Sequence, residues 1–245
     1  FGMHAEIRTV KDPILRVKIV EERTSFDLNP QEWLDKYDTE QKALTEKIIS
    51  AQNLLPEVKL DYETSRKFIG KGGEYFIKKH LEYNKIELPK DELDNLISQF
   101  LKIYKKNISK KSRPYPGANK LLSWLQENDF IVSICTNKPE ELAKLVLSKL
   151  RISNYFDEII GGDTLSQSKP NPLPLLSLMS KFNIKPNDTL MVGDTTTDIL
   201  TAKNCNVRCA CVDFGYFDEK IEGVDPDYWI SDLSDVRNII EGKYY

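Results

Sequence analysis

The sequence predicts an α/β fold: a doubly wound parallel sheet with an inserted helical domain. Three observations predict it. After Pro114-Tyr115-Pro116-Gly117, short apolar runs alternate with amphipathic helical stretches, as strands buried on both faces do. Before about residue 113 the chain is rich in Lys and Glu and reads as successive helices with no obvious strand. Ahead of that block, Pro13–Val20 (PILRVKIV) reads as a first core strand, which makes the block an insertion into the sheet domain. The division is then 1–29 and 113–245 for the sheet domain and 30–112 for the helical insertion.

In chain order, residues 31–53 place Trp33, Leu34, Tyr37, Ala43, Leu44, Ile48 and Ile49 at helical spacing with polar residues between. Residues 61–82 and 91–106 read similarly, the first interrupted by Gly70-Lys71-Gly72-Gly73. A helix over Ala118–Glu127 leads into a strand over Phe130–Cys135 that ends at Thr136-Asn137. Then follow a helix over Pro139–Leu150, a strand over Glu158–Ile160 and a helix over Pro172–Phe182. A strand over Thr189–Val192, a helix over Thr197–Asn204 and a strand over Arg208–Val212 complete the pattern. In such a sheet, function is expected at the carboxyl ends of the strands.

Composition narrows the partners. A chain of 245 residues suits one core domain with a smaller inserted unit, and 40% hydrophobic residues suffice for a packed core. The net charge of −3 gives no global basic field, which argues against a nucleic-acid-coating role. No apolar stretch approaches the roughly 18 residues needed to cross a bilayer. Phe1-Gly2-Met3-His4 lacks a charged-then-apolar signal layout, and four Cys in a chain this long do not make a disulfide framework. The expected setting is reducing and cytoplasmic, for a monomer or homodimer.

The chemistry concentrates at three strand ends. Asp194, in Val192-Gly193-Asp194-Thr195-Thr196-Thr197-Asp198, follows an apolar strand, and Asp198 stands at the start of the next helix. Paired carboxylates there suit a hard cation such as Mg²⁺, with waters and phosphate oxygens as further ligands; helix capping is the plainer alternative. Thr136-Asn137 offers a hydroxyl and backbone N–H groups to an anion. Lys169 is a lone cation in a Pro-stiffened loop, Ser168-Lys169-Pro170-Asn171-Pro172. Singly, Thr136 reads as a cap and Lys169 as a surface charge. Together they form a constellation for phosphate and Mg²⁺.

These segments carry a family resemblance. CTNKP at 135–139, IIGGDTL at 159–165, KPNPLPLL at 169–176 and MVGDTTTDI at 191–199 resemble motifs two to four of the haloacid dehalogenase superfamily. The Gly-Gly-Asp-Thr-Leu and Lys-Pro-x-Pro-x-Pro-Leu-Leu strings, with Tyr115-Pro116-Gly117 and Phe68-Ile69-Gly70-Lys71-Gly72, resemble phosphoglycolate phosphatases in particular. The resemblance implies a Rossmann-like core with a helical cap, dependence on Mg²⁺, and hydrolysis of a small phosphorylated substrate such as 2-phosphoglycolate through a phospho-aspartate. By position, Thr136 would bind the transferring phosphoryl group and Lys169 would stabilise its charge. Asp194 would hold Mg²⁺, Asp198 would support the metal site, and Asn137 with the cap loop Gly70-Lys71-Gly72 would contact substrate.

The family's first motif, Asp-x-Asp-Gly-Thr, is absent. The nearest text is Phe26-Asp27-Leu28-Asn29-Pro30-Gln31. There Asp27 would be the nucleophile and a metal ligand, and Asn29, also at a metal position, replaces the proton donor. Asn cannot exchange a proton near neutral pH, so general acid–base help of about 10²–10⁴-fold would be missing. The preceding Glu21-Glu22-Arg23-Thr24-Ser25 is too polar for a strand buried on both faces. If PILRVKIV is the first strand, its end presents Glu21 or Glu22 instead, and Asp27 stands beside the start of a helix at Pro30. Three functional readings follow: an Mg²⁺-dependent phosphatase, a catalytically silent member of the fold that binds a phosphorylated ligand or a protein, or an enzyme of changed substrate such as a sugar-phosphate mutase or another small phosphomonoesterase.

Other candidates are structural. Cys209 and Cys211 alternate along a strand without His nearby, so Cys205, Cys209 and Cys211 read as buried thiols. His4 and His80 are isolated, and the Lys105-Lys106 and Lys110-Lys111 pairs read as a solvated face.

Overall fold

In the computed structural model, which describes residues 64, 65, 68, 70–109, 112–215 and 223–244, the apolar runs of the second half form parallel strands. β1 (Ser133–Cys135) pairs with β2 (Glu158–Ile160), Ile134 opposite Ile159. β3 (Leu190–Gly193) pairs with β4 (Arg208–Val212), and β4 with β5 (Tyr228–Ile230), giving the order β3-β4-β5. Every pairing is parallel, as strands joined through helices require.

Alternate strand residues enter opposite cores, because successive side chains point to opposite faces. Ile134, Leu190, Val192, Ala210 and Val212 pack with Leu121, Leu122 and Leu125 of α3 (Ala118–Glu127) and Val146 and Leu147 of α4 (Glu140–Lys149). Val236 and Ile239 of α7 (Ser234–Ile240) join the same cluster. Met191, Cys209 and Cys211 face the other way, onto Leu175 and Met179 of α5 (Leu173–Lys181) and Ile199 and Ala202 of α6 (Thr196–Asn204). Both faces are therefore covered, and fully burying each Leu or Ile contributes about 1.5–3 kcal/mol. The cysteines at 135, 205, 209 and 211 are free and buried, as the sequence leads one to expect.

Ahead of the strands stand α1 (Gly73–Tyr83) and α2 (Lys90–Asn107). Phe76, Ile77 and Leu81 pack on Leu96 and Phe100, a small core separate from those of the sheets. His80 is buried there, its Nδ1 donating to the Phe76 carbonyl at 2.8 Å. That leaves Nε2 as acceptor for the Ser65 hydroxyl at 2.8 Å, which ties the segment before the glycine loop to α1. The second half of α2 leaves this small core, and Tyr104 and Ile108 enter the main one.

Several boundaries shift for identifiable reasons. The strand expected over Phe130–Cys135 is only Ser133–Cys135; just ahead of it the Asp157 carboxylate takes the Val132 N–H at 2.7 Å. The interrupted helix over 61–82 restarts only at Gly73, whose missing Cβ admits the Phe100 and Leu101 side chains. β5 and α7 are additional to the sequence reading: the apolar run of β5 is only three residues, Tyr228–Ile230, too short to stand out between Asp227 and Ser231. The expected Pro13–Val20 strand, the 31–53 helix, Glu21, Glu22, Asp27, Asn29, Lys110 and Lys111 lie outside the described residues.

Candidate active site at the strand carboxyl ends

The loop after β1 is built by backbone contacts. The Thr136 N–H donates to the Ile160 carbonyl at 2.9 Å, extending the β1–β2 ladder by one rung. The Lys138 N–H then donates to Thr136 Oγ1 at 3.1 Å, which fixes the hydroxyl of a residue only 3% exposed. Gly162 donates to the Lys138 carbonyl at 2.8 Å. Asp163 accepts the Glu140 N–H at 2.7 Å and so caps α4, while the Thr164 hydroxyl donates to the Glu140 carboxylate. The Gly-Gly-Asp-Thr string thus braces this loop from behind.

Lys169 enters from the loop after β2, through a cis Lys169–Pro170 peptide. The residue is 5% exposed, and its ammonium donates to Asp198 Oδ1 at 2.7 Å. Burial pushes this lysine below its ordinary range, and the charges of Asp198 and, more weakly, Asp194 oppose that shift. Asp198 Oδ2 meanwhile accepts the N–H groups of Asp194 and Thr195, both at 3.1 Å, and the Thr195 hydroxyl at 2.9 Å. Thr195 and Asp198 form a capping box at the start of α6. The two Asp198 oxygens thus meet Lys169 on one side and the turn that carries Asp194 on the other.

Asp194 follows the last residue of β3 and is fully buried. Gly215, just past β4, backs it so closely that a side chain at 215 would overlap the Asp194 Cβ. Mg²⁺ takes hard oxygen ligands and is held by one or two carboxylates together with waters and phosphate oxygens. Asp194 fits that donor set. Among the described residues no group of three His, Cys, Asp or Glu could hold a metal ion by itself.

The glycine loop lies directly against these strand ends. Gly70 (φ 95°) sits where a Cβ would be 3.1 Å from Thr195 Cγ2, and Gly72 (φ 92°) where it would be 3.2 Å from the Asn137 carbonyl oxygen. Only glycine adopts such φ values freely while allowing this approach. Asn137 Nδ2 donates to the Gly70 carbonyl at 3.1 Å and to the Lys169 carbonyl at 2.9 Å, joining three loops. Lys71 is exposed, its ammonium 5.2 Å from the centre of the Tyr75 ring.

The structure therefore brings Thr136, Asn137, Lys169, Asp194, Asp198, Gly70 and Gly72 together and leaves Lys71 at the rim. Sequence reasoning named Thr195 as a helix cap, which it is, and missed Gly215 and Lys138, the last only 2% exposed. A lysine immediately after Thr136-Asn137 was the available signal for Lys138. Gly215 carried none, because its neighbour Asp194 is remote in sequence.

Comparison with known proteins agrees with this geometry. The family model for haloacid dehalogenase-like hydrolases matches residues 37–212, a span that contains Thr136, Lys169 and Asp194 but not Asp27 or Asn29. A phosphoglycolate phosphatase of Nitrosococcus oceani is 36% identical over 177 residues, 71% of this chain and 79% of that protein. One from Agrobacterium fabrum is 34% identical over 186 residues, 76% of this chain and 78% of that protein. The crystal structure of a predicted phosphoglycolate phosphatase from Haemophilus somnus superimposes with a TM-score of 0.74 at 28% identity, covering 81% of this chain and 92% of that one. With a matching family model over most of its length and a strand-end site of this construction, the chain belongs to the haloacid dehalogenase-like hydrolases, as a phosphatase-type member of that family.

Proposed function

We propose that the protein hydrolyses a small phosphomonoester, 2-phosphoglycolate foremost, with Mg²⁺ as cofactor and through an aspartyl-phosphate. The observation that carries this reading is the Lys169 ammonium, buried and held by Asp198 at 2.7 Å at the same strand ends as Thr136 and Asp194. A preorganised cation in a site of low dielectric stabilises charge on phosphoryl oxygens far better than one in water. Thr136 donates its hydroxyl to a second phosphoryl oxygen. Mg²⁺ bound at Asp194 supplies further neutralisation of the phosphate charge. Asp27 is the proposed nucleophile: its carboxylate oxygen bonds to phosphorus as the ester P–O bond breaks, the ester oxygen leaves as the alcohol with a proton taken from water, and a second water then hydrolyses the aspartyl-phosphate to inorganic phosphate and restores Asp27. Asn29 shares the proposed metal position with Asp27 through its backbone carbonyl.

The substrate class follows from the cap. Residues 30–112 are taken as the cap domain, and its Gly70–Gly72 loop reaches to within contact of Thr195 and Asn137. That close seat favours a leaving group of few atoms. The loop's backbone N–H groups, with Asn137 and Lys71, are proposed to receive the substrate carboxylate. Names of the relatives point to the same substrate. Among the described residues no helix is long and apolar enough to cross a membrane. We place the enzyme in the cytoplasm, as a monomer or homodimer acting on a small molecule and not on nucleic acid or membrane, in keeping with four free thiols.

The test is phosphate release from 2-phosphoglycolate and from p-nitrophenyl phosphate, with Mg²⁺ and with EDTA. Release is expected with Mg²⁺ and its loss with EDTA. Folded protein that releases phosphate from neither compound under either condition overturns the reading.

A further inference from the structure

We propose that Lys138 is a positioning residue that seats the cap on the core by docking its ammonium on Tyr104, and that this seat sets the enzyme's selectivity for small substrates. The proposal rests on the phosphatase reading above. Lys138 follows Thr136-Asn137, and its backbone is held on both sides, by Thr136 Oγ1 at 3.1 Å and by the Gly162 N–H at 2.8 Å. Its side chain leaves the loop toward α2, where Nζ lies 5.5 Å from the centre of the Tyr104 ring. Lysine and tyrosine are 2% and 5% exposed, so the contact is almost wholly desolvated.

Tyr104 ends a file of rings that runs through the cap. Phe76 stacks on Phe100 at 5.8 Å, and Phe100 on Tyr104 at 6.3 Å with planes only 7° apart. The cation on the last ring therefore bears on the packing of both cap helices. The neighbouring residue, Asn137, holds the other end of the cap through the Gly70 carbonyl at 3.1 Å. Two consecutive residues of one core loop thus grip both the loop before α1 and the second half of α2. A second link, between Lys105 and Glu141, is exposed and contributes little.

The coupling has a physical cause. A buried ammonium needs a compensating partner, and the electron-rich ring face is one that α2 supplies only when the cap is seated. Tyr104 also packs in the main core, so a shift of α2 moves the ring against Lys138, whose backbone N–H orients the Thr136 hydroxyl. Cap seating and the phosphoryl-binding hydroxyl are in this way linked through one residue.

The experiment is a double-mutant cycle in the full chain with Lys138→Met and Tyr104→Leu, read by kcat/KM for 2-phosphoglycolate and for p-nitrophenyl phosphate. Each single change is expected to lower kcat/KM for 2-phosphoglycolate by about 5- to 30-fold, the size of a desolvated cation–π contact. The loss for the bulkier aryl ester should be smaller, shifting selectivity toward it. The double variant should match the worse single one within about threefold. Tyr104→Phe, which keeps the ring, and Lys138→Arg, which keeps the cation, should stay within about threefold of the unmutated protein. Hydrogen exchange should rise over residues 70–76 in both disruptive variants. Multiplicative losses in the double variant, or a Tyr104→Leu protein with unchanged kinetics and exchange, overturn the proposal. Should the unmutated protein turn over neither ester, the phosphatase reading fails by itself, and exchange over 70–76 alone decides the docking: a rise supports it and no rise overturns it.

Discussion

Replacing Asp198 by Asn isolates the charge that holds Lys169. The two side chains are 1% and 3% exposed and 2.7 Å apart, so little water can screen them. Breaking a buried pair by removing one partner costs about 3–5 kcal/mol, because the remaining charge is left uncompensated. The amide adds a geometric fault. Its single oxygen can serve either Lys169 or the Asp194 and Thr195 N–H groups, and its NH₂ must then face a donor on the other side. For a chain of this size the expected fall in Tm is about 6–20 °C.

The pH dependence has a definite sign. Burial already lowers the Lys169 pKa, and Asp198 is the chief opposing influence, so its removal lowers that pKa further. Between the lowered folded value and the ordinary 10.5, the unfolded chain binds more protons at this site than the folded one. Stability contributed by this group therefore rises with pH across that window, and more widely in the variant than in the unmutated protein. Urea denaturation at about pH 7 and pH 9 measures it, with phosphate release followed alongside. The variant should regain part of its lost stability at the higher pH while remaining inactive, since a neutral Lys169 no longer offsets phosphoryl charge. A variant within about 1 kcal/mol of the unmutated protein at both pH values, or one that keeps its turnover, would refute the reasoning.

Further outcomes are expected at three other positions. Asp194→Asn should abolish Mg²⁺ binding in isothermal titration, because a neutral amide is a poor ligand for a hard dication; unchanged affinity would move the metal elsewhere. Gly72→Ala places a side chain at φ 92° and 3.2 Å from the Asn137 carbonyl oxygen, at a cost of about 1–2 kcal/mol. It should lower kcat/KM for 2-phosphoglycolate by about tenfold with a Tm change of a few degrees, and unaltered kinetics would remove the loop from the site. Asn29→Asp restores a group that can exchange a proton, so turnover should rise roughly 10²-fold if Asp27 is the nucleophile. A flat steady-state result would take Asp27 out of the active site.

The sequence by itself determined the sheet and the chemical types at its edge. A strand buried on both faces is an unbroken apolar run, so Leu190–Val192 and Arg208–Val212 announce themselves, and the residue past each run is by construction at a strand end. That logic reached Thr136 and Asp194 without any knowledge of contacts, while Lys169 was reached through its Pro-stiffened loop. β5 and α7 escaped it because the apolar run of β5, Tyr228–Ile230, is only three residues long. Tertiary structure alone decided what each polar residue does. Asp198 meets Lys169 across 29 residues, and Asn137 meets Gly70 across 67. Lys138 meets the Tyr104 ring, which α2 brings to within 5.5 Å of its Nζ. Periodicity records which face of an element is apolar, but it carries no record of which distant element will stand opposite. The choice of partner for a buried charge is made by packing, where desolvation makes each unpaired group costly and only the assembled fold supplies its counterpart.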